Sequence, residues 1–205
     1  MVTFVERVPY QTAMRSLLRE SVLDAMRDLL TERDWSKITL ADVAKQAGVS
    51  RQTLYNEFGS RAGLLQAYAL RLIDYLVDHV RAAVWAHVDD GGAALNEGFR
   101  NFFIDSAADP LVRSLLLGNP EQDLLRLVTL DARPLLEQAT GRLTEVFVQS
   151  WVAVTEEQAE TVARGLVRVA LSYVSLPPEP NRDVAADWAA LLGPYIDALI
   201  TVSSE

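Results

Sequence analysis

The stretch Thr39–Arg61, TLADVAKQAGVSRQTLYNEFGSR, decides the fold, because it reads as one helix, a sharp turn and a second short helix. Thr39 precedes an apolar-periodic run and has Asp42 three positions on. At that spacing the hydroxyl and the carboxylate each accept a backbone N–H at a helix start. Leu40, Val43, Ala44 and Ala47 recur at helical spacing and give this helix one buried face. Gly48 supplies the left-handed conformation that ends it. Val49 fills the angle, and Ser50 caps a second helix whose inward residues are Leu54, Phe58 and part of Tyr55. Ser50, Arg51, Gln52, Thr53 and Asn56 are left outward. These side chains hydrogen-bond base edges and phosphate oxygens, and the N-terminal end of such a helix is the part that enters a major groove. A helix-turn-helix reader of double-stranded DNA is the expectation.

The run AGVSRQTLYNEFGSRAGLL resembles the signature of the TetR family of transcriptional regulators. Ala47, Gly48, Val49, Ser50, Thr53, Leu54, Tyr55, Phe58, Ser60, Arg61, Leu64 and Leu65 stand in its register, and the likeness extends over about residues 12–65. Gln52 stands where that family often has glycine, and Arg61 where it more often has lysine. The first adds a side chain to the reading surface, so the operator sequence does not transfer from relatives. The second keeps the positive charge. The base-reading candidates are Arg51 toward guanine and Gln52 and Asn56 toward adenine. Thr39, Ser50, Thr53, Tyr55 and Arg61 are the phosphate candidates that the family pattern implies at matching positions.

Charge has to be divided along the chain before it is used. Residues 1–62 carry nine Lys or Arg against eight Asp or Glu, a net of +1, and the remainder ten against twenty, a net of −10, which together give the formal −9. Only the near-neutral head is therefore expected to approach DNA, since phosphate attraction is screened beyond roughly 8–10 Å at physiological salt. The absence of Cys from all 205 residues excludes disulfides, thiol catalysis and cysteine-bound zinc. The N-terminal MVTFVERVPYQTAMR has no uninterrupted apolar core, and no later stretch offers about 18 charge-free apolar residues. A cytoplasmic protein without a membrane partner is expected.

The pattern is all-α, with about nine or ten helices. A first head helix is expected from about Thr12 to Glu32, with Ala13, Leu17, Val22, Ala25, Met26, Leu29 and Leu30 as its apolar stripe. Trp35 and Ile38 should close the head core, and residues 1–11 are expected as a loose arm. Beyond it, helices are expected over 60–87, 93–108, 110–117, 120–129, 132–151, 156–176 and 182–201. Asp89-Asp90-Gly91-Gly92, Asp109-Pro110, Asn119-Pro120 and the proline-rich 175–180 segment separate them, and Thr155 with Gln158 forms a second capping box. The division expected is a DNA-binding domain over 1–59 and an effector-binding and dimerisation domain over 60–205.

The last two long helices carry the stripes Ala163, Leu166, Val167, Ala170, Leu171, Val174 and Trp188, Leu191, Leu192, Tyr195, Ile196, Leu199. Two such stripes from each of two chains make a four-helix homodimer interface. One short reading helix also contacts too few base pairs for useful specificity. The resemblance implies a ligand pocket in the acidic body, for which Tyr68, Leu72, Phe99, Phe102, Phe103, Leu116, Leu117, Phe147, Trp151 and Tyr173 are candidate lining. Such a lining suits an elongated apolar effector, for example a fatty acid, with Arg100, Asn101, Arg113, Arg126 and Arg142 as polar anchors. A repressor released by its ligand follows, and an architectural DNA binder without a ligand is the alternative. A small all-α enzyme is the remoter rival. His79 and His87 are eight residues apart, not the one-turn pair that shares a metal, and no phosphate loop or serine elbow is present. Neither a catalytic residue nor a metal or other cofactor is implied.

Overall fold

The computed structural model describes residues 10–117, 122–152, 154–176, 179 and 181–202. Among them the chain is all helical, with ten α-helices, one 3-10 turn and no strand. It divides into two compact units, Met1–Tyr68 and Ala69–Glu205.

The first unit holds α1 (Tyr10–Glu32), the 3-10 turn Trp35–Lys37, α2 (Leu40–Gln46), α3 (Arg51–Phe58) and the first turns of α4 (Arg61–Ala86). Its core is made of Val22, Met26, Trp35, Val43, Leu54 and Leu64, each 1% exposed or less. Contacts with α2 and with the following elements bury α1 only from Val22 onward. Leu17, expected on the buried stripe, is 66% exposed for that reason. The helix also begins at Tyr10 rather than Thr12. Of the arm expected over residues 1–11, residues 1–9 lie outside the described residues.

Trp35 anchors this unit. The Arg61 guanidinium lies 4.1 Å above its ring, while Arg61 Nη2 donates to the Trp35 carbonyl at 2.6 Å and Nε to the Ile38 carbonyl at 3.2 Å. One planar side chain thus stacks on the indole and ties the residues entering α2 to the start of α4. The turn from α3 into α4 is equally tight. A Cβ built on Gly63 would stand 2.1 Å from the Phe58 carbonyl oxygen, so no side chain fits there without moving backbone.

The second unit continues with α5 (Gly91–Ala108), α6 (Pro110–Leu117), α7 (Gln122–Val128), α8 (Arg133–Val148), α9 (Glu156–Ser175) and α10 (Val184–Val202). The closest pairings are α8 with α9 and α5 with α10. Two side-chain pairs join α4 and the residue just past its end to α5, His79 with Asp105 and His87 with Glu97, the latter at 2.5 Å. As one residue number rises the other falls, so the two helices run antiparallel. Between the units' helices the breaks have local causes. Asp90 Oδ1 accepts from Ala93 N at 2.8 Å, which starts α5 at Gly91 instead of Ala93. Asp109 Oδ1 accepts from Leu111 and Val112 N at the start of α6, and Thr155 with Gln158 forms the capping box of α9.

Two further boundaries shift by two residues or more. Helix α8 ends at Val148 rather than Trp151, because the Ser150 hydroxyl donates to the Phe147 carbonyl and accepts from Val152 N. Helix α10 starts at Val184 rather than Arg182, with Asp183 Oδ1 accepting from Ala186 N. Helix α7 starts at Gln122, and the expected Asn119-Pro120 start lies outside the described residues. Among the described residues no helix is long and apolar enough to cross a membrane.

Two glycine substitutions separate steric from entropic effects. Gly63→Ala is expected to destabilise by about 1–3 kcal/mol, as overpacking against backbone does. Gly141→Ala in α8, where a Cβ meets nothing within 4 Å, is expected to stabilise by about 0.5–1 kcal/mol. Thermal unfolding of the two variants beside the parent protein checks both signs.

Candidate nucleic-acid interface

The interface is built from capped ends. Thr39 Oγ1 accepts from Asp42 N at 3.3 Å, and Thr39 N and Oγ1 donate to Asp42 Oδ2 at 2.9 and 2.7 Å. These bonds, the side-chain one first, hold the Asp42 carboxyl below the ordinary carboxylate range, and the guanidinium of Arg33 adds to them. They start α2, which ends where Gly48 takes φ +68° and Val49 N donates to the Ala44 carbonyl at 2.9 Å. That left-handed residue sets the turn and aims α3.

Ser50 then caps α3. Its Oγ accepts from Thr53 N at 3.0 Å and lies 2.8 Å from Thr53 Oγ1, either hydroxyl donating. Leu54 and Phe58 are buried, whereas Arg51, Gln52, Tyr55 and Asn56 are exposed. The two amides touch. Gln52 Nε2 donates to Asn56 Oδ1 at 2.8 Å across one turn. The three expected base readers and Tyr55 therefore share the open face of α3, with Ser50 and Thr53 at its capped end and Thr39 at the start of α2. Arg61, expected at a phosphate, has its guanidinium turned onto Trp35 and two backbone carbonyls.

Sequence reading missed the support behind this face. Arg15 Nε and Arg19 Nη1 of α1 donate to the two oxygens of Glu57 at 2.7 and 2.6 Å, and Arg19 lies over the Phe58 ring at 5.0 Å. The Glu57 side chain is 9% exposed. Its burial opposes ionisation, but the bonds from Arg19 and Arg15 outweigh that and hold its carboxyl below the ordinary range. The only sequence signal was a pair of arginines four apart on one helix face. A clamp across 42 and 38 residues is not encoded locally.

In the second unit Phe99, Phe102 and Phe147 are buried, and Leu72, Phe103, Trp151 and Tyr173 are half-buried. Tyr68, the last residue of the first unit, is fully buried. The side chains of Leu116 and Leu117 lie outside the described residues. Phe103 meets Phe99, Phe102 and Tyr173 with ring centroids 5.3–6.0 Å apart, so four of the expected lining residues form one aromatic cluster. Of the expected anchors, Arg100, Arg126 and Arg142 are paired with Asp183, Asp131 and Asp74. Arg71, passed over in the sequence, is buried at 6% exposure. Among the described residues no group of three or more acidic or histidine side chains is placed to hold a metal ion.

On α9, Ala163, Leu166 and Val167 are buried in the chain's own core, while Ala170 and Val174 are half-buried. On α10, Trp188 and Leu192 pack partly against that core and Leu199 is half-buried. Leu191 and Tyr195 stay outward at 65% and 49% exposure, beside Ala190, Pro194 and Ala198.

Known proteins share both halves of this arrangement. The family model for bacterial regulatory proteins of the tetR family matches residues 22–68, and that for the C-terminal domain of the bacterial tetracyclin repressor matches residues 90–194. The HTH-type transcriptional regulator AlkX of Mycobacterium tuberculosis (strain ATCC 25618 / H37Rv) is 57% identical over 193 residues, covering 94% of this chain and 92% of that protein. The solved structure of the TetR family repressor AlkX from Dietzia sp. strain DQ12-45-1b, implicated in biodegradation of n-alkanes, superposes with a TM-score of 0.82. It is 42% identical and covers 89% of this chain and 96% of that one. A TetR-family regulator from Streptomyces coelicolor A3 shares the fold at a TM-score of 0.57 and 24% identity, over 96% of this chain and 99% of that one. The family and these relatives are transcriptional regulators, not enzymes.

The clamp predicts an acid limit for the first unit. Glu57 has a folded pKa below its unfolded value of 4.5, so its contribution is complete above 4.5 and is lost as the pH falls through the lower folded value. Glu57→Gln should lower stability at pH 7 by about 1–2 kcal/mol and flatten the loss seen between pH 5 and pH 3 by roughly that amount. Urea unfolding across that range reads both.

Proposed function

This chain belongs to the TetR family of bacterial transcriptional regulators, and from that premise we propose that it is a homodimeric, ligand-released repressor of a palindromic operator. Residues 1–59 read DNA and residues 60–205 bind the effector and the partner subunit. The observation that carries the reading is the open face of α3, where Arg51, Gln52 and Asn56 stand exposed on a helix capped by Ser50. Arg51 suits guanine and the amides suit adenine. The Thr39, Ser50 and Thr53 hydroxyls and the Tyr55 phenol suit phosphate oxygens. Arg61 lies over the Trp35 ring, and its N–H groups serve the Trp35 and Ile38 carbonyls.

An α3 of eight residues reads few base pairs. Two copies about 34–36 Å apart read successive major grooves. The outward apolar residues of α10, Leu191 and Tyr195, support pairing through the last helices. The Dietzia relative's link to n-alkanes and the aromatic cluster around Phe103 support an elongated apolar, fatty-acyl-like effector. Such a ligand lowers DNA affinity by the difference in its affinity for the two head spacings. A protein of this kind works in the cytoplasm.

Fluorescence anisotropy with duplexes from the DNA flanking its own gene, with and without a C16 fatty acid, tests the whole reading. Saturable, competitor-resistant binding that the fatty acid weakens is expected. Binding no tighter than to unrelated DNA would contradict the reader, and operator binding indifferent to the fatty acid would contradict the effector.

Two substitutions separate the parts. Arg51→Ala should cost about 1–3 kcal/mol of discrimination at particular base pairs. The double change Leu191→Glu and Tyr195→Glu should halve the mass seen by sedimentation and reduce operator affinity with it.

A further inference from the structure

The N-terminal half of α1 is held without burial. No residue from Tyr10 to Ser21 is buried, and the core side of the helix begins at Val22. That half is tied to α3 through Glu57, which accepts from Arg15 Nε at 2.7 Å and from Arg19 Nη1 at 2.6 Å.

The three charged groups are not equivalent. The Glu57 side chain is 9% exposed, that of Arg19 38% and that of Arg15 65%, so Arg15 is the outermost of them. Arg19 also lies over the Phe58 ring at 5.0 Å. Two guanidiniums on one carboxylate leave a surplus of one positive charge. Arg15 gives only its Nε–H to Glu57 and makes no other hydrogen bond among the described residues. Both of its terminal amino groups are left for an outside acceptor, and a planar guanidinium fork matches phosphate oxygens.

The place on α3 matters as much. Glu57 follows Asn56 directly, about 100° around the helix from it, so it stands on the flank of the reading face. A helix about 10–12 Å across fills a major groove about 12 Å wide, and its flanks then lie against the phosphates of the groove walls. A bare carboxylate on that flank would repel them, whereas Glu57 carrying Arg19 and Arg15 presents a cation. Arg61, the cation that the signature puts at a phosphate, is laid on Trp35 instead and bonded to the Trp35 and Ile38 carbonyls.

We infer that Arg15, held by Glu57, is a phosphate-binding residue, and that it gives each half-site one backbone contact from α1 beside the Glu57 flank of α3. This inference rests on the docking of α3 proposed above and goes beyond it by bringing α1 to the DNA.

The experiment measures operator affinity by fluorescence anisotropy between about 50 and 200 mM salt for the parent protein, Arg15→Gln, Arg15→Lys and Arg27→Gln. A second series uses operators with single base-pair changes. Arg27 is exposed on α1, about 18 Å along the helix from Arg15, so its loss removes the same charge away from Glu57. Each phosphate contact contributes about 0.9 to the slope of log affinity against log salt. With two half-sites, Arg15→Gln should flatten the slope by about 1.8, and its deficit should be about tenfold larger at 50 mM than at 200 mM. Its base preferences should match the parent's, and Arg15→Lys and Arg27→Gln should keep the parental slope. Arg15→Met, which keeps the apolar stem, repeats the test should the glutamine variant not fold. A parental slope in Arg15→Gln, equal flattening in Arg27→Gln, a lysine variant as flat as the glutamine one, or a loss confined to particular base pairs overturns the inference and leaves the reader intact. A parent protein that binds the operator no better than unrelated DNA overturns the docking of α3, and the inference with it.

Discussion

The geometry of the first unit depends on what is stacked on Trp35. Three segments meet there: the 3-10 turn that carries the indole, Ile38 just before the cap of α2, and Arg61 at the start of α4. A guanidinium does this where an ammonium could not, because it is flat enough to cover a ring and presents two N–H groups in a fixed fork. Entry into α2 and exit from α3 are thereby fixed at one place. Helix α3, at eight residues, is too short to persist alone. It holds its direction through buried Leu54 and Phe58, the Gly48 turn, and the α1 arginines that grip Glu57.

That arrangement also bears on how such a protein meets DNA. A head with a net charge of +1 on a strongly acidic body has little general attraction for phosphate. Affinity must come from short-range contacts, correctly placed in advance. The supports described above do that placing: caps at Thr39 and Ser50, a clamp behind the helix at Glu57, and mutual hydrogen bonding of the amides in front.

The helices and their caps were legible in the sequence because their signals are local. Thr39 with Asp42, Thr155 with Gln158, and Gly48 each act within four residues, and each acts in the structure as its spacing implies. Where a weaker local signal competed, the boundary moved, as at Ser150 and Asp183. The tertiary partners were not legible. Nothing in the neighbourhood of Arg15 points to Glu57, and an arginine written between Leu70 and Leu72 reads as a surface residue until packing buries it. Apolar stripes are ambiguous for a related reason. Leu166 and Leu191 look alike in sequence, yet one lies in the core and the other stays 65% exposed. Only the arrangement of neighbouring helices distinguishes them.

The most direct test of the account is selection of bound duplexes from a random DNA pool by the purified protein. Enrichment of an inverted repeat, with half-site centres separated by about one helical turn or a multiple of it, is the predicted result. A pool that stays random through repeated rounds, bound by folded protein no better than bulk DNA, would contradict it.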